Sequence, residues 1–547
     1  MKTRILVSLA ITAIATSCLA QVGQPQDAGL TPRTATLEVN TNYNNNALET
    51  GDISIGANGN ILMAWEDDNG SIPLQDFEAV WTLFDNQGNL VIPPATVTNI
   101  PSAACITTAE SLSNWTYRAF FRSDGSLVPG YTGDFGGKAK GNQFGNGFGF
   151  MAGCDAIACE VPELLNINVD AGGTATGGSP FTQLLNNDGS RNAAAGGLDV
   201  AGIRSFSDAD TEPAGTIRPG DFDFLSNGNL VIVGESRQVD DRALTGQGGG
   251  NVVVYKVFSP TGGVVKAYSA ASSEAAAQDM WHGTAATTNG FAIRFNVGTE
   301  RVRLFDNNGN PVTTNIDLAA VTGHPEAGAG GRGDGTGFKS NGKDAYVYAA
   351  QSASGPWVTV LNANGTVRYS RAVTDTNELG AYANGDRLDA AIAEDGRVIV
   401  AFDASNNDTN NTGPFRLTQA RVFDPCGNAM GPVFYVSERE NATNAIASNS
   451  AGRPRVAWRG NTIAVMWGSQ NSPNTAAKVL ALRLFTPPPS AGPTIQLEAG
   501  NVIVSWTGCG VLQQSSDLVA WADVVGAASP YSTPATAAMK FYRLRYY

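Results

Sequence analysis

The stretch Asp389–Phe402, DAAIAEDGRVIVAF, decides how the rest of the chain is read. A short alternating segment meets an acidic-glycine turn, Asp395-Gly396, and then an apolar run that closes on an aromatic residue. The same plan occurs as DISIGANGNILMAW at Asp52–Trp65 and as DFDFLSNGNLVIVG at Asp221–Gly234. In all three an Asp stands seven residues before the turn glycine. Asn-Gly and Asp-Gly supply the positive φ that tight hairpins demand, so each stretch is a β-hairpin.

Further copies are GNGFGFMAG at Gly145–Gly153, TNGFAIRF at Thr288–Phe295, SNGKDAYVYA at Ser340–Ala349 and RGNTIAVMW at Arg459–Trp467. A second hairpin alternates with the first, as in TLFDNQGNLVI at Thr82–Ile92, RLFDNNGNPV at Arg303–Val312 and RVFDPCGNAM at Arg421–Met430. Its last copy, LRLFTPPP at Leu482–Pro489, has lost the turn. Two hairpins make four strands, and four strands recurring at roughly 50–70 residues make a propeller blade. The expected fold is all-β: a seven-bladed β-propeller with four-stranded blades. An eighth blade is the alternative, through the isolated turn AFFRSDGSLV at Ala119–Val128. The turnless last copy needs a strand from elsewhere, and Ala35–Val39 alternates suitably, so an N-terminal strand is expected to close the ring and remove an exposed edge.

Charged residues are 15% of the 547, against about 25% in ordinary globular proteins, and glycines number 63. The net charge of −14 leaves no basic stripe for nucleic-acid phosphates and favours a soluble exported protein or one that attracts cations. Lys2 and Arg4 precede the apolar run Ile5–Ala15 and then Ser17-Cys18-Leu19-Ala20, the pattern of a secretory signal peptide cut after Ala20. A lipidated Cys18 is the rival, but the apolar residue it wants three positions upstream is only Ala15. The expected boundaries are a signal peptide at 1–20, a propeller at 21–486, a Pro-rich linker at 487–493 and a β-sandwich-like domain at 494–547. Of the five cysteines after Ala20, Cys154 and Cys159 are candidate disulfide partners, as is either with Cys105; Cys426 and Cys509 complete the set.

The final segment resembles a small β-domain found at the C-terminal end of many secreted bacterial proteins. The matching residues are Leu512-Gln-Gln-Ser-Ser-Asp-Leu518, Trp521, Ser529-Pro-Tyr531 and Phe541-Tyr-Arg-Leu-Arg545. The resemblance implies a secreted accessory module. The body resembles secreted bacterial β-propellers by its repeat plan, with no enzyme family attached.

Long links, such as 98–141 and 191–219, gather on the face opposite the hairpin turns and mark the expected binding face. Asp52, Asp221 and Asp389 then begin innermost strands at the mouth of the central channel. Counting seven back from the other turn glycines gives Lys140, Gly283 beside Trp281-His282, Gly335 and Arg453. Carboxylates at a channel mouth suit a hard cation, calcium included, or a polyol. The plainer account is that each Asp caps the backbone N–H groups of its own strand start. The turns Asp85–Asn89 and Asp306–Asn310 look like calcium loops but lack the later bidentate Glu, and Arg332-Gly-Asp334 sits in a Gly-rich loop.

Neither G-x-S-x-G nor HExxH occurs, and His282 and His324 are the only histidines. The Ser-x-Asp-x-Gly-x-Thr-Trp turns of sialidase-type propellers are missing as well. Three functions fit. The first is a secreted or surface propeller that binds a glycan, protein or cation without catalysis. The second is a carbohydrate-active hydrolase using channel carboxylates. The third is a structural envelope component.

Overall fold

The computed structural model describes residues 23–40, 51–68, 77–96, 135–146, 148–154, 181–185, 203–204, 217–236, 252–260, 263–276, 278, 283–328, 337–352, 355–374, 388–406, 415–436, 452–469, 479–489, 492–506, 508–536 and 539–546. Among these residues the chain is nearly all β. Six four-stranded antiparallel sheets follow one another in sequence, and a seventh joins three strands to two from the N-terminal region. These sheets of the described residues are numbered blades 1 to 7 in chain order. Their innermost strands are Asp52–Ile55, Phe135–Gly141, Ile217–Phe224, Thr284–Thr287, Phe338–Ser340, Leu388–Ile392 and Gly452–Arg459.

Each innermost strand packs on the next, and the strand of blade 7 packs on that of blade 1, so the sheets form a closed cycle. Segment 119–128, the source of the eight-blade alternative, lies outside the described residues. The hairpins form where the glycines predict them. Gly59, Gly228 and Gly396 sit at φ 85°, 86° and 89°, where a side chain is strained.

The core lies between blades rather than inside any one of them. Ile53, Met63 and Trp65 of blade 1 pack against Ala464, Met466 and Leu482 of blade 7. A like cluster joins blades 5 and 6 through Val347, Val360, Val398 and Phe402. The second strands of these blades, such as Ile61–Trp65 and Val398–Phe402, are buried residue after residue because neighbouring sheets cover them.

Blade 7 is completed from the other end of the chain. Leu37–Asn40 runs antiparallel to Val479–Thr486, with Leu37 opposite Leu482, and Thr31 and Pro32 extend the same edge opposite Thr486 and Phe485. Arg33 fastens this join. Its guanidinium donates to the carbonyl of Asn86 at 2.6 Å, to the carbonyl of Asn461 at 2.5 Å and to the Thr462 hydroxyl at 3.0 Å. One side chain thus links the N-terminal segment, blade 1 and blade 7.

Residues after 493 form two three-stranded sheets with a small core of Val504, Leu512 and Val524. This module is bonded to the ring by a disulfide between Cys426, in the outer hairpin turn of blade 6, and Cys509. The other expected pairing, of Cys154 with Cys159 or of either with Cys105, falls on residues outside those described. Two cysteines 83 positions apart give no spacing signal for their pairing. Pro488 is also held, since its carbonyl accepts from Arg397 of blade 6.

Deleting residues 21–45 strips blade 7 of its outer strands and bares the edge of Val479–Thr486. Light scattering at fixed concentration is expected to show aggregation of the deleted chain. Arg33→Ala alone is expected to lower unfolding stability by about 1–3 kcal/mol in urea titration.

Candidate functional site on the ring axis

An innermost strand is paired along one edge only, with the second strand of its own blade. Its other edge leaves backbone groups without a ladder partner, and each buried orphan costs about 1–3 kcal/mol. Side chains of the neighbouring blades supply the missing partners.

In blade 3, Asp221 Oδ1 accepts from the Phe222 N–H at 2.9 Å, and Oδ2 accepts from the Thr284 N–H of blade 4 at 3.0 Å. Two residues on, Asp223 repeats the bridge to the Phe224 N–H at 2.8 Å and to the Ala286 N–H at 2.9 Å. In blade 6, Asp389 accepts from Ala390 at 2.9 Å and from Val456 of blade 7 at 2.8 Å. Blade 1 uses Asp52 for the Ile53 N–H at 2.9 Å and the Ser54 hydroxyl for the Gly141 N–H of blade 2 at 2.6 Å.

Two lysines complete the arrangement. The Lys140 ammonium of blade 2 lies 3.0 Å from Asp221 Oδ2 and donates to the Thr284 carbonyl at 3.0 Å. Lys339 of blade 5 bonds Asp389 and donates to the Val456 carbonyl at 2.6 Å. In both sets the acid takes the N–H and the ammonium fills the carbonyl of one and the same residue. An Asp–Lys pair therefore does for Thr284, and again for Val456, what an adjacent strand does elsewhere. The two sets stand three blades apart.

A cavity of about 740 Å³, part of it open to solvent, runs along these strands. Asp52, Lys140, Asp223, Lys339, Glu394 and Arg459 supply its charged wall, while Ile53, Ile55, Ile392 and Trp458 supply an apolar one. At the hairpin-turn end, Arg459 of blade 7 donates to the carbonyls of Ile55 at 3.3 Å, Asn142 at 3.0 Å and Gln143 at 3.3 Å. Gln143, from the turn of blade 2, reaches across the ring to the Ser340 hydroxyl of blade 5 at 3.4 Å. Trp458 donates to the Gly460 carbonyl at 3.3 Å, and the Arg397 guanidinium stacks 5.0 Å from its ring.

Burial sets the electrostatics. It works to lower the pKa of Lys140, but the Asp221, Asp223 and Asp52 carboxylates outweigh it and push that pKa up, so Lys140 is a cation. Burial also raises the Asp223 carboxyl to about 7, against the pull of Lys140 and with a further push from Asp221. A carboxyl that titrates near neutrality therefore faces the cavity.

The structure brings Asp52, Asp221 and Asp223 around Lys140 and sets Asp389 on Lys339. Trp281, His282 and Gly335 lie outside the described residues, as does the side chain of Arg453. Gly283 accepts through its carbonyl from the Arg294 N–H at 2.6 Å. Counting back from the turn glycine overlooks Lys339 and Arg455. Blades 4 and 7 turn through shorter loops, with Thr287 opposite Gly290 and Arg459 opposite Thr462, so the offset of seven does not transfer to them. Arg455, two residues on from the counted Arg453, is a buried cation of that strand and donates to the Gly51 carbonyl of blade 1 at 2.7 Å. The signal for Asp223 was the alternation Asp221-Phe-Asp-Phe224, since residues two apart share a strand face.

The loops that looked like calcium sites are self-satisfied. Asp85 accepts from the Gln87 and Asn89 N–H groups, both at 2.8 Å, and Asp306 and Asp424 repeat the pattern. Among the described residues no group of three or more His, Cys, Asp or Glu could hold a metal ion.

No protein-family model matches this chain, and no curated protein matches it. Among solved structures it is similar to the polysaccharide lyase Uly1 at 9% identity and TM-score 0.41, over 86% of this chain and 96% of that one. An intramolecular trans-sialidase from Ruminococcus gnavus gives 8% identity and TM-score 0.38, over 86% and 100%. A point mutant of the NanB sialidase from Streptococcus pneumoniae gives 9% and 0.37, over 82% and 70%. All three are named as carbohydrate-active enzymes. At TM-scores this low the likenesses carry no argument about activity.

Two outcomes test the site. Asp389→Asn leaves the Lys339 ammonium without its counter-charge and is expected to cost about 3–5 kcal/mol in urea unfolding. Adding Lys339→Met is expected to restore part of that loss. For Asp223, whose folded pKa exceeds its usual 3.8, the contribution is complete below about pH 4 and is lost as pH rises through about 7. Unfolding titrations across this window are expected to show the falling component in the native sequence and not in Asp223→Asn.

Proposed function

We propose that this is an exported carbohydrate-binding propeller that holds a saccharide in the axial cavity. One observation carries the proposal: a single cavity combines carboxyl and ammonium groups with the flat apolar surface of Trp458 and three isoleucines. A sugar presents hydroxyl groups at its edge and C–H groups on its faces, so it needs both kinds of wall. Asp52, Asp223 and Glu394 are the carboxyls that line the cavity, and Asp221 and Asp389 do not.

Export is part of the proposal. It is supported by the Lys2–Ala20 pattern and by the Cys426–Cys509 bond, which persists in oxidising compartments. Among the described residues no helix is long and apolar enough to cross a membrane.

Hydrolysis of the bound saccharide is the second reading, favoured by one arrangement. Asp52 and Asp223 line the same cavity beside Lys140, and Asp223 stays protonated up to about pH 7, the state a general acid needs. Against it, both Asp223 oxygens already accept backbone N–H groups.

The test is an array of immobilised neutral and uronate oligosaccharides probed with the full chain. Wild type is expected to bind a defined subset, and Asp52→Asn, which keeps the bond to the Ile53 N–H, to bind about tenfold more weakly. Release of reducing ends that Asp223→Asn abolishes would establish the hydrolytic reading. Absence of saccharide binding, or binding unchanged by Asp52→Asn, would contradict the proposal.

A further inference from the structure

Twelve large apolar side chains are exposed among the described residues, and six of them lie in the last tenth of the chain. Three of the six gather at one end of one sheet. Val511–Ser515 pairs with Phe541–Arg545 so that Ser515 stands opposite Phe541. Leu518 and Val519 follow Ser515, and Met539 precedes Phe541. Leu518 is 57% exposed, Val519 84% and Met539 62%.

The loop that presents Leu518 and Val519 is held in shape. Asp517 Oδ1 accepts from the Val519 and Ala520 N–H groups, both at 2.8 Å, and the Ser515 hydroxyl accepts from the Leu518 N–H at 2.9 Å. The Trp521 ring donates back to the Leu518 carbonyl at 3.1 Å. Leu518 itself sits at φ 63°, a conformation that costs a leucine energy. Folding therefore holds two aliphatic side chains out in water, where burial does not repay them.

The position of this tip is set by the disulfide. Cys509, at the other end of the same strand, fixes that end to the propeller. At about 3.3 Å per residue the tip stands on the order of 20 Å away from that anchor. Behind the aliphatic tip come Trp521, with the Arg543 guanidinium 4.2 Å over its ring, and the exposed Lys540. Aliphatic groups in front of a collar of Trp and cations is the order in which side chains enter a lipid–water interface. Charge agrees with this placement. Residues 494–547 carry Glu498, Asp517 and Asp523 against Lys540, Arg543 and Arg545, three of each sign, so the net −14 resides in the rest of the chain. A module without net charge meets no net repulsion of its own at an anionic surface.

We infer that the C-terminal module is a lipid-surface contact, inserting Leu518, Val519 and Met539 into the headgroup region of a membrane while the propeller remains in water. The inference does not depend on what the axial cavity binds.

The experiment is flotation of the full chain with phosphatidylethanolamine vesicles containing phosphatidylglycerol. Wild type is expected to float with the vesicles. The double variant Leu518→Gly and Val519→Ser, which relieves the strained φ and removes the apolar tip, is expected to partition about tenfold less. Val312→Ser, which removes an equally exposed apolar group from the propeller (65% exposed), is expected to float like wild type. A circular-dichroism melt unchanged in all three chains assigns the difference to the surface and not to folding. Wild type remaining with the solution, or equal flotation of the tip variant, would overturn the inference. So would crosslinks from position 519 to a protein on intact cells without flotation, since the tip would then serve a protein groove.

Discussion

The ring depends on how its innermost strands satisfy an edge that no strand covers. Hydrogen-bonded pairing ends at the first strand of each blade, yet the backbone groups beyond it are buried against the next blade. Carboxylates of the blade before accept the exposed N–H groups, and lysines from two blades before donate to the carbonyls. Thr284 and Val456 receive both halves of the arrangement. The apolar seams between blades provide most of the burial, but they are non-directional. The Asp and Lys contacts fix the register of blade 4 on blade 3 and of blade 7 on blade 6.

This has a consequence for the axis. Polar groups brought there for structural reasons also line whatever space remains. Asp221 and Asp389 bond backbone and lysine together, whereas Asp223 bridges two blades and Asp52 holds its own strand start, and both of these line the cavity. Asp223 combines the two roles most sharply: the desolvation that makes it a firm bridge also lifts its carboxyl to about 7. Support and recognition are thus drawn from the same side chains, and substitutions there require stability and binding to be measured together.

The fold was legible because its punctuation is local. An Asn-Gly or Asp-Gly turn between two apolar runs specifies a hairpin within about a dozen residues, and alternating hairpins specify a blade. The recurring Asp was visible for the same reason, and the next-residue N–H bond of Asp52, Asp221 and Asp389 is a local contact. The rest was not local. Thr284 is 63 positions from Asp221, and Val456 is 117 from Lys339. No spacing rule reaches that far. The offset of seven fails in blade 7, where the hairpin loop shortens and Arg455 escapes it, and in blade 5, where Gly342 stands two residues after the last paired residue instead of four and Lys339 escapes it. The Cys426–Cys509 bond joins a turn of the ring to a separate module and has no periodic signature at all.

The most direct measurement is residue-resolved amide hydrogen exchange at Thr284 and Val456. Both amides lie on the edge of their strands that lacks a pairing strand. If the Asp–Lys pairs replace that strand, the two amides exchange as slowly as the ladder amides of Ile293 and Val465. Exchange at the rate of an open sheet edge would show that the carboxylates do not hold the ring, and the account built on them would fail.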